Sequence, residues 1–427
     1  MIRIISDIRS PRLDYVLDFV FNQVLNTGYK LTLENQEDAA LPAIFYGKTT
    51  CLPLSFSVSQ IVEEQGVLHQ KSMDVLLNAY QEYRLGHRAW WQLDVFGMIF
   101  YCLSRYEEYL IKGNDHWGRF TARQSHLVQM AKNHPVVDEL IFLMKEAIVK
   151  QYPSYKMPEQ KNYTFQATMD IDQAWAYKYR GMRNILSVGK AILTLDFKRL
   201  HSMWKVLIDK QDDPFYTYEY IEHQCQMNGK NMKVFMLLSS KLTSIDRNHH
   251  PSTPEFRALV QELARFFELG IHPSFRSTQD ICYLKEEISE LEQLAGKSVH
   301  RSRQHFLLLR LPQTYRQLIQ HGIDEDYTMG FADEIGYRAG TGHSFYWYDL
   351  EKEQVTPLKI FPFQIMDATL KNYMNLNSDE AIQLITAMKQ QSELYHSPVT
   401  FIWHNSSLDE SGEWKGWRQV FEYLMRS

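Results

Sequence analysis

The chain has no uncharged apolar run that reaches the length of about 20 residues a membrane-spanning helix needs. It has no basic excess either: 46 Lys and Arg stand against 51 Asp and Glu, a formal charge of −5. With no dense Lys/Arg patch, nothing offers nucleic acid a footprint. The four cysteines, Cys51, Cys102, Cys225 and Cys282, are scattered and show no CxxC spacing. They read as reduced core thiols, and the expected location is cytoplasmic. The opening Met1-Ile2-Arg3-Ile4-Ile5-Ser6-Asp7 brings in charge too early for the apolar core of a signal peptide. Internal repeats and low-complexity tracts are also missing. What is present is a core-forming composition, 44% hydrophobic and 23% charged, over 427 residues, enough for two or three domains.

Two regions are expected. Residues 1–155 read as a smaller N-terminal α/β domain of unknown role. Met1–Ile5 and Ala43–Gly47 are strands, and Pro11–Thr27, Asp94–Ile111 and Val136–Tyr152 are helices. Pro153 and Pro158 mark a linker. From 160 to 427 strands and helices alternate. Strands are expected at Lys233–Leu238, Gly270–Ser274, Ser302–Leu309, Tyr327–Phe331, Gly336–Ala339, Leu358–Met366 and Val399–His404. Helical material is expected over Trp175–Asp209 (interrupted near Leu193–Asp196), Phe215–Asn228, Pro254–Leu269, Thr278–Leu294, Pro312–His321, Ser378–Leu394 and Trp414–Met425. Such alternation predicts a parallel, barrel-like α/β domain.

The organising stretch is Thr164-Phe165-Gln166-Ala167-Thr168-Met169-Asp170-Ile171-Asp172. Apolar and polar residues alternate without Gly or Pro, so it reads as a strand. Residues i and i+2 share a side, which places Asp170 and Asp172 together at the strand's carboxyl end, where α/β folds keep their sites. Two carboxylates that close repel unless a cation or a shared proton intervenes. The bland alternative is a strand-end pair capping the next helix. His272, His305, Arg338, Asp367 and His404 fall at other strand ends, each with a bland reading of its own as a loop cap, a core histidine or an ion-pair partner. Together they suit metal-assisted hydrolysis. Asp and His supply O and N ligands to a divalent cation, Zn²⁺ by preference, which polarises a carbonyl and acidifies water. A carboxylate takes the proton and a histidine protonates the leaving group. Asp115 with His116 reads as a structured surface turn rather than a ligand pair.

Over residues 160–427 the set resembles the polysaccharide deacetylases of carbohydrate esterase family 4, whose NodB-homology fold is a distorted (β/α) barrel. Thr168-Met169-Asp170-Ile171-Asp172 is similar to the family's Asp-x-Asp opening. His272 in Gly-Ile-His-Pro-Ser resembles its second motif, Arg338 in Tyr-Arg-Ala-Gly its third, Asp367 in Ile-Met-Asp-Ala its fourth, and Thr400-Phe401-Ile402-Trp403-His404 its fifth. The resemblance implies that Asp170 is the general base, Arg338 positions it, His404 is the acid and Asp367 tunes that acid. It implies Asp172 and His272 as metal ligands. Where the family has a second ligand histidine this chain has Arg276, and His305 is the expected replacement. The implied substrate is an N-acetylated sugar of a polysaccharide or cell-envelope glycan. Ser104–Tyr109 and Asp115–Phe120 resemble an N-terminal domain found in a subgroup of such proteins. Two alternatives stay open: a non-catalytic glycan- or partner-binding protein, since the Arg276 cation would oppose a metal, and a C–N hydrolase of a small cyclic amide on the same scaffold.

Overall fold

The computed structural model describes residues 1–33, 41–48, 53–67, 70–113, 115–159, 164–181, 184, 193, 197–278 and 280–427. In the N-terminal region, strands β1 (Ile2–Ser6), β2 (Tyr29–Thr32), β3 (Ala43–Gly47) and β4 (Ser55–Ser57) form a parallel sheet in the order β2-β1-β3-β4. Helix Pro11–Leu17 begins where Ser10 accepts from the Leu13 amide and proline occupies the first turn. The expected helix Asp94–Ile111 is two helices, Val95–Ser104 and Tyr106–Leu110, broken at Arg105 in the left-handed conformation. Every residue of Val95–Ser104 is buried, which explains its apolar character on all sides.

The second region holds nine further strands: β5 (Phe165–Ile171), β6 (Lys233–Leu237), β7 (Glu268–His272), β8 (Arg301–Ser302), β9 (Glu325–Asp326), β10 (Phe345–Asp349), β11 (Gln354–Ile360), β12 (Ile365–Met366) and β13 (Val399–His404). They pair in the order β10-β11-β9-β8-β7-β6-β5-β13-β12. All neighbours are parallel except the β10–β11 hairpin. This is a mixed α/β architecture built on parallel sheets. Irregular backbone bonds, Phe361 N to Asp326 O and Phe363 N to Met329 O, carry the chain of β11 past β9 toward β12, which pairs with β13.

Several expectations shift. Ser302–Leu309 is a strand only at Arg301–Ser302; His305–Leu307 is a tight helical turn with Phe306 and Leu307 at φ 57° and 56°. The expected strand Tyr327–Phe331 is replaced by β9 just before it, and Gly336–Ala339 is not a strand. The aromatic run β10 was not anticipated. Residues 174–181 form turns instead of a helix. Much of the expected helix 175–209, including 194–196, lies outside the described residues, as does Cys51; helix Phe197–Leu207 is described. Cys102 and Cys225 are buried thiols and Cys282 is exposed. Among the described residues no helix is long and apolar enough to cross a membrane.

One apolar cluster runs through both regions. The hairpin reaches the N-terminal helix Val95–Ser104, where Phe100 meets Tyr348 edge-on at 5.3 Å. Ion pairs also cross, with both arginines buried. Arg12 binds Glu353 at 2.5 and 3.0 Å, and Arg338 binds Glu108 at 2.5 and 2.9 Å. Register aligns the carboxyl ends of the central strands: His404 lies beside Asp170, Leu237 beside His272, and Ile271 beside Ser302.

Candidate metal centre

β5 is sandwiched between β13 and β6, so Ala167, Met169 and Ile171 on one side and Thr168 and Asp170 on the other are all buried. Asp172 follows the last strand residue. The chain supplies its neighbours from three more strand ends: His272 closes β7, His305 follows β8, and His404 closes β13. Ligand atoms of Asp172, His272 and His305 all lie within 4.8 Å of one another. His272 Nε2 is 3.1 Å from Asp172 Oδ1, and His305 Nε2 and His404 Nε2 are each 3.8 Å from Oδ2.

Hydrogen bonding fixes which way the imidazole lone pairs face. His272 Nδ1 sits 2.6 Å from the Arg303 carbonyl oxygen, an acceptor only, so Nδ1 carries the proton. His305 Nδ1 sits 3.1 Å from Asp246 Oδ1, again an acceptor, and donates to it. In the neutral rings both Nε2 atoms then turn lone pairs toward the Asp172 carboxylate. Lone pairs facing lone pairs need a proton or a metal ion between them. Asp172 Oδ1 is buried and receives no well-aligned hydrogen bond, despite the nearness of His272. The donor set of one carboxylate and two outwardly anchored imidazoles fits a divalent cation of the zinc type, with room for further ligands.

Electrostatics agree with that arrangement. Burial would raise the Asp172 carboxyl, but positive charge on His305, on the closely placed His272 and on His404 holds it well below the usual carboxylate range. His272 is raised: burial opposes its charge, and Asp170 and Asp172 outweigh burial. His404 is pushed up to about 10, because Asp367, Asp172 and Asp170 overcome the burial that disfavours its cation. Its Nδ1 lies 2.7 Å from Asp367 Oδ1, and its amide donates to Asp367 Oδ2 at 2.8 Å. His404 and Asp367 thus form a pair whose free nitrogen looks into the cluster.

Asp170 is buried and clamped by Arg303. Nη1 donates to Asp170 Oδ1 at 2.7 Å, Nη2 to Thr168 Oγ1 at 2.8 Å and Nε to the Tyr327 carbonyl at 3.0 Å. The guanidinium lies on the Phe235 ring at 4.4 Å. A Cβ on Gly270 would stand 2.7 Å from that ring, so glycine in β7 gives the Phe235 side chain its space.

This corrects the expectation for Arg338. It does not hold Asp170; its guanidinium is committed to Glu108 and the Gly330 carbonyl. Arg303, just after a two-residue strand, is the arginine that reaches Asp170. Sequence reasoning also missed Asp246, in the loop after β6, which holds His305 and accepts the Phe275 amide at 2.9 Å. Arg303 carried a usable signal, two residues before His305 at a strand end; Asp246 had none beyond its place after a strand. Arg276 donates to Tyr283 Oη at 2.6 Å and lies on its ring at 4.3 Å, an arrangement that occupies its charge. Asp115 builds a turn, accepting from the Trp117 and Arg119 amides and pairing with Arg119.

Residues 2–153 match the model of a family of unknown function, DUF7033. No curated protein matches the chain. Among solved structures, a putative polysaccharide deacetylase from Mycobacterium smegmatis is 13% identical with a TM-score of 0.40, over 63% of this chain and 85% of that one. PuuE allantoinase is 10% identical at 0.37, over 64% and 87%. A probable polysaccharide deacetylase from Pseudomonas aeruginosa PAO1 is 10% identical at 0.38, over 62% and 84%. With likeness this distant, the functional reading rests on the chain's own side chains.

Proposed function

We propose that this chain is a metal-dependent hydrolase that removes the acetyl group from an N-acetylated sugar of a polysaccharide or cell-envelope glycan, on an irregularly closed (β/α) barrel. The observation that carries the metal is the convergence of two imidazole lone pairs on the Asp172 carboxylate, His272 on the buried, under-bonded Oδ1 and His305 on Oδ2. Asp172, His272 and His305 would hold the cation. Bound there, a Zn²⁺-like ion supplies Lewis acidity, polarising a carbonyl oxygen and acidifying water.

The remaining steps belong to the protein. Asp170 is the base: Arg303 fixes one carboxylate oxygen, leaving the other to take a proton from the attacking water. His404 is the acid. Asp367 orients the ring through Nδ1, so the proton for the departing amine sits on Nε2. The sugar class follows from the motif resemblance of Thr168–Asp172, His272 and Thr400–His404. The N-terminal region would shape the substrate entrance: a cleft of about 470 Å³ lies between its Asp115–Gln124 segment and Leu307, Asp333 and Tyr373 of the second region, within the size range of small-ligand sites.

The test is acetate release from chitooligosaccharides or peptidoglycan fragments with added Zn²⁺ or Co²⁺. Asp170→Asn should abolish turnover and keep the metal. Equal rates in variant and wild type, or no acetate from any N-acetylated glycan, would reject the assignment.

A further inference from the structure

His305 reaches Asp172 from an unusual backbone. The two residues after it, Phe306 and Leu307, have φ of 57° and 56°, the left-handed region that residues with a Cβ avoid. A turn of this kind persists only where its surroundings hold it. Asp246 secures the imidazole through Nδ1, but the backbone that carries the ring needs its own anchor.

That anchor comes from the other region of the chain. Arg119 is buried and its Nη1 donates to the Phe306 carbonyl at 3.1 Å. The rest of its guanidinium is fixed: Nε donates to Asp115 Oδ2 at 2.6 Å, and Nη2 to Tyr373 Oη at 2.9 Å. Asp115 is itself set by the Trp117 and Arg119 amides, at 3.0 and 2.7 Å. Beside this polar contact the Trp117 ring lies 4.6 Å from the Phe306 ring at 32°, and the Phe306 ring lies 4.3 Å from His305. The Asp115–Phe120 turn therefore grips the residue next to the imidazole by its carbonyl and by its ring.

We propose that Arg119 is a positioning residue of the metal centre: by holding the Phe306–Leu307 turn, the N-terminal region aims His305 at Asp172. This rests on the metal-site reading above and gives the N-terminal region a part in it. The N-terminal and barrel regions then work as one unit, because a ligand from one is oriented by a cation from the other.

The test uses the full chain with Arg119→Lys and Arg119→Ala. Co²⁺ affinity is read by absorption titration, and hydrogen exchange by mass spectrometry over peptides spanning 303–311. The Leu307 and Leu308 amides bond to Gln304 O and His305 O at 2.9 and 3.4 Å, so their exchange reports the turn. Arg119→Ala should weaken Co²⁺ binding about tenfold or more, the effect expected of an outer-sphere group, with partial rescue in the lysine variant. Exchange should rise at 305–309 and stay unchanged in β5. A shared loss of melting temperature without a change in Co²⁺ affinity would mark Arg119 as interface glue only and overturn the proposal. So would unchanged exchange in the turn. If wild type holds no stoichiometric divalent ion, the metal-site reading falls, and the exchange measurement alone decides whether Arg119 holds the turn. Should Arg119→Ala fail to fold, Tyr373→Phe removes one of the bonds that fix the guanidinium and should give the same changes at about severalfold size.

Discussion

The two regions bury charge in different ways. In the N-terminal region, buried carboxylates are closed off by donors. Glu108 takes hydrogen bonds from Arg105 and Arg338, and Glu107 from Tyr101, Arg105, Ser125 and the His126 amide. Asp94 takes them from Tyr46, Ser59 and the Gly97 amide. Around the carboxyl ends of β5–β8, where Arg303 closes off Asp170 in the same way, two carboxylates depart from that pattern. Among the described residues, the only buried carboxylate oxygens without a hydrogen-bond partner are Asp172 Oδ1 and Asp246 Oδ2, one in the cluster and one just behind it. A saturated buried charge fixes packing. An unsaturated one costs free energy that folding alone would not retain, and so points to a missing ligand.

The largest effect should fall on the saturated side. Glu108→Ala removes the carboxylate partner of Arg338 and one of the two carboxylate partners of Arg105, both nearly inaccessible to solvent. Removing one partner of a buried pair costs about 3–5 kcal/mol, so urea unfolding should show a loss of that order while Co²⁺ affinity stays within about threefold. If the metal goes with the stability, the two kinds of buried charge are not separable and the contrast is broken. Asp172→Asn is the mirror experiment. It removes a ligand, so its effect on Co²⁺ affinity should exceed the roughly 100-fold upper range of outer-sphere changes.

A third measurement follows pH. In the metal-free protein His404 is raised from 6.5 to about 10, burial being outweighed by Asp367, Asp172 and Asp170. A group whose folded value lies above its unfolded one stabilises fully below the unfolded value and loses that contribution as pH climbs through the folded value. Wild type should therefore exceed His404→Gln in unfolding free energy at pH 6, on the order of 2 kcal/mol, and the gap should close as pH rises from about 7 to beyond 10. Saturating Zn²⁺ should narrow the gap at pH 7, since the cation replaces the proton as the partner of Asp172. A gap that is flat with pH would mean the carboxylates do not act on His404.

The sequence revealed the i, i+2 acids at the end of β5 and the histidines at other strand ends, because a two-residue period and parallel alternation fix which side and which end a residue takes. It misread the support behind them. Reading Ser302–Leu309 as one strand hid the turn at Phe306 that re-aims His305, and left Arg303 unnoticed beside Asp170. Pattern alone does not say which of two arginines reaches a carboxylate: Arg338 lost that place because Glu108, from a helix of the other region, captured it. The hairpin strand β10, Phe-Tyr-Trp-Tyr-Asp, has aromatics without clean alternation since its residues pack against the N-terminal helix as well as the sheet. Such contacts between distant segments carry no local periodicity.

Asp246 gives the smallest expected effect. Its Oδ1 accepts both from His305 Nδ1 and from the Phe275 amide, and Oδ2 is left without a donor. Asp246→Asn keeps an acceptor for both donors and fills nearly the same volume, so unfolding should change by less than about 1 kcal/mol. The negative charge behind the imidazole is what disappears. That charge makes Nε2 a better ligand, and its loss should lower Co²⁺ or Zn²⁺ affinity about tenfold, read by competition with a chelating dye. A tenfold loss at constant stability would show that the unsaturated oxygen behind the cluster serves the metal rather than the fold. Constant affinity with lost stability would place Asp246 with Glu108, on the structural side of the contrast.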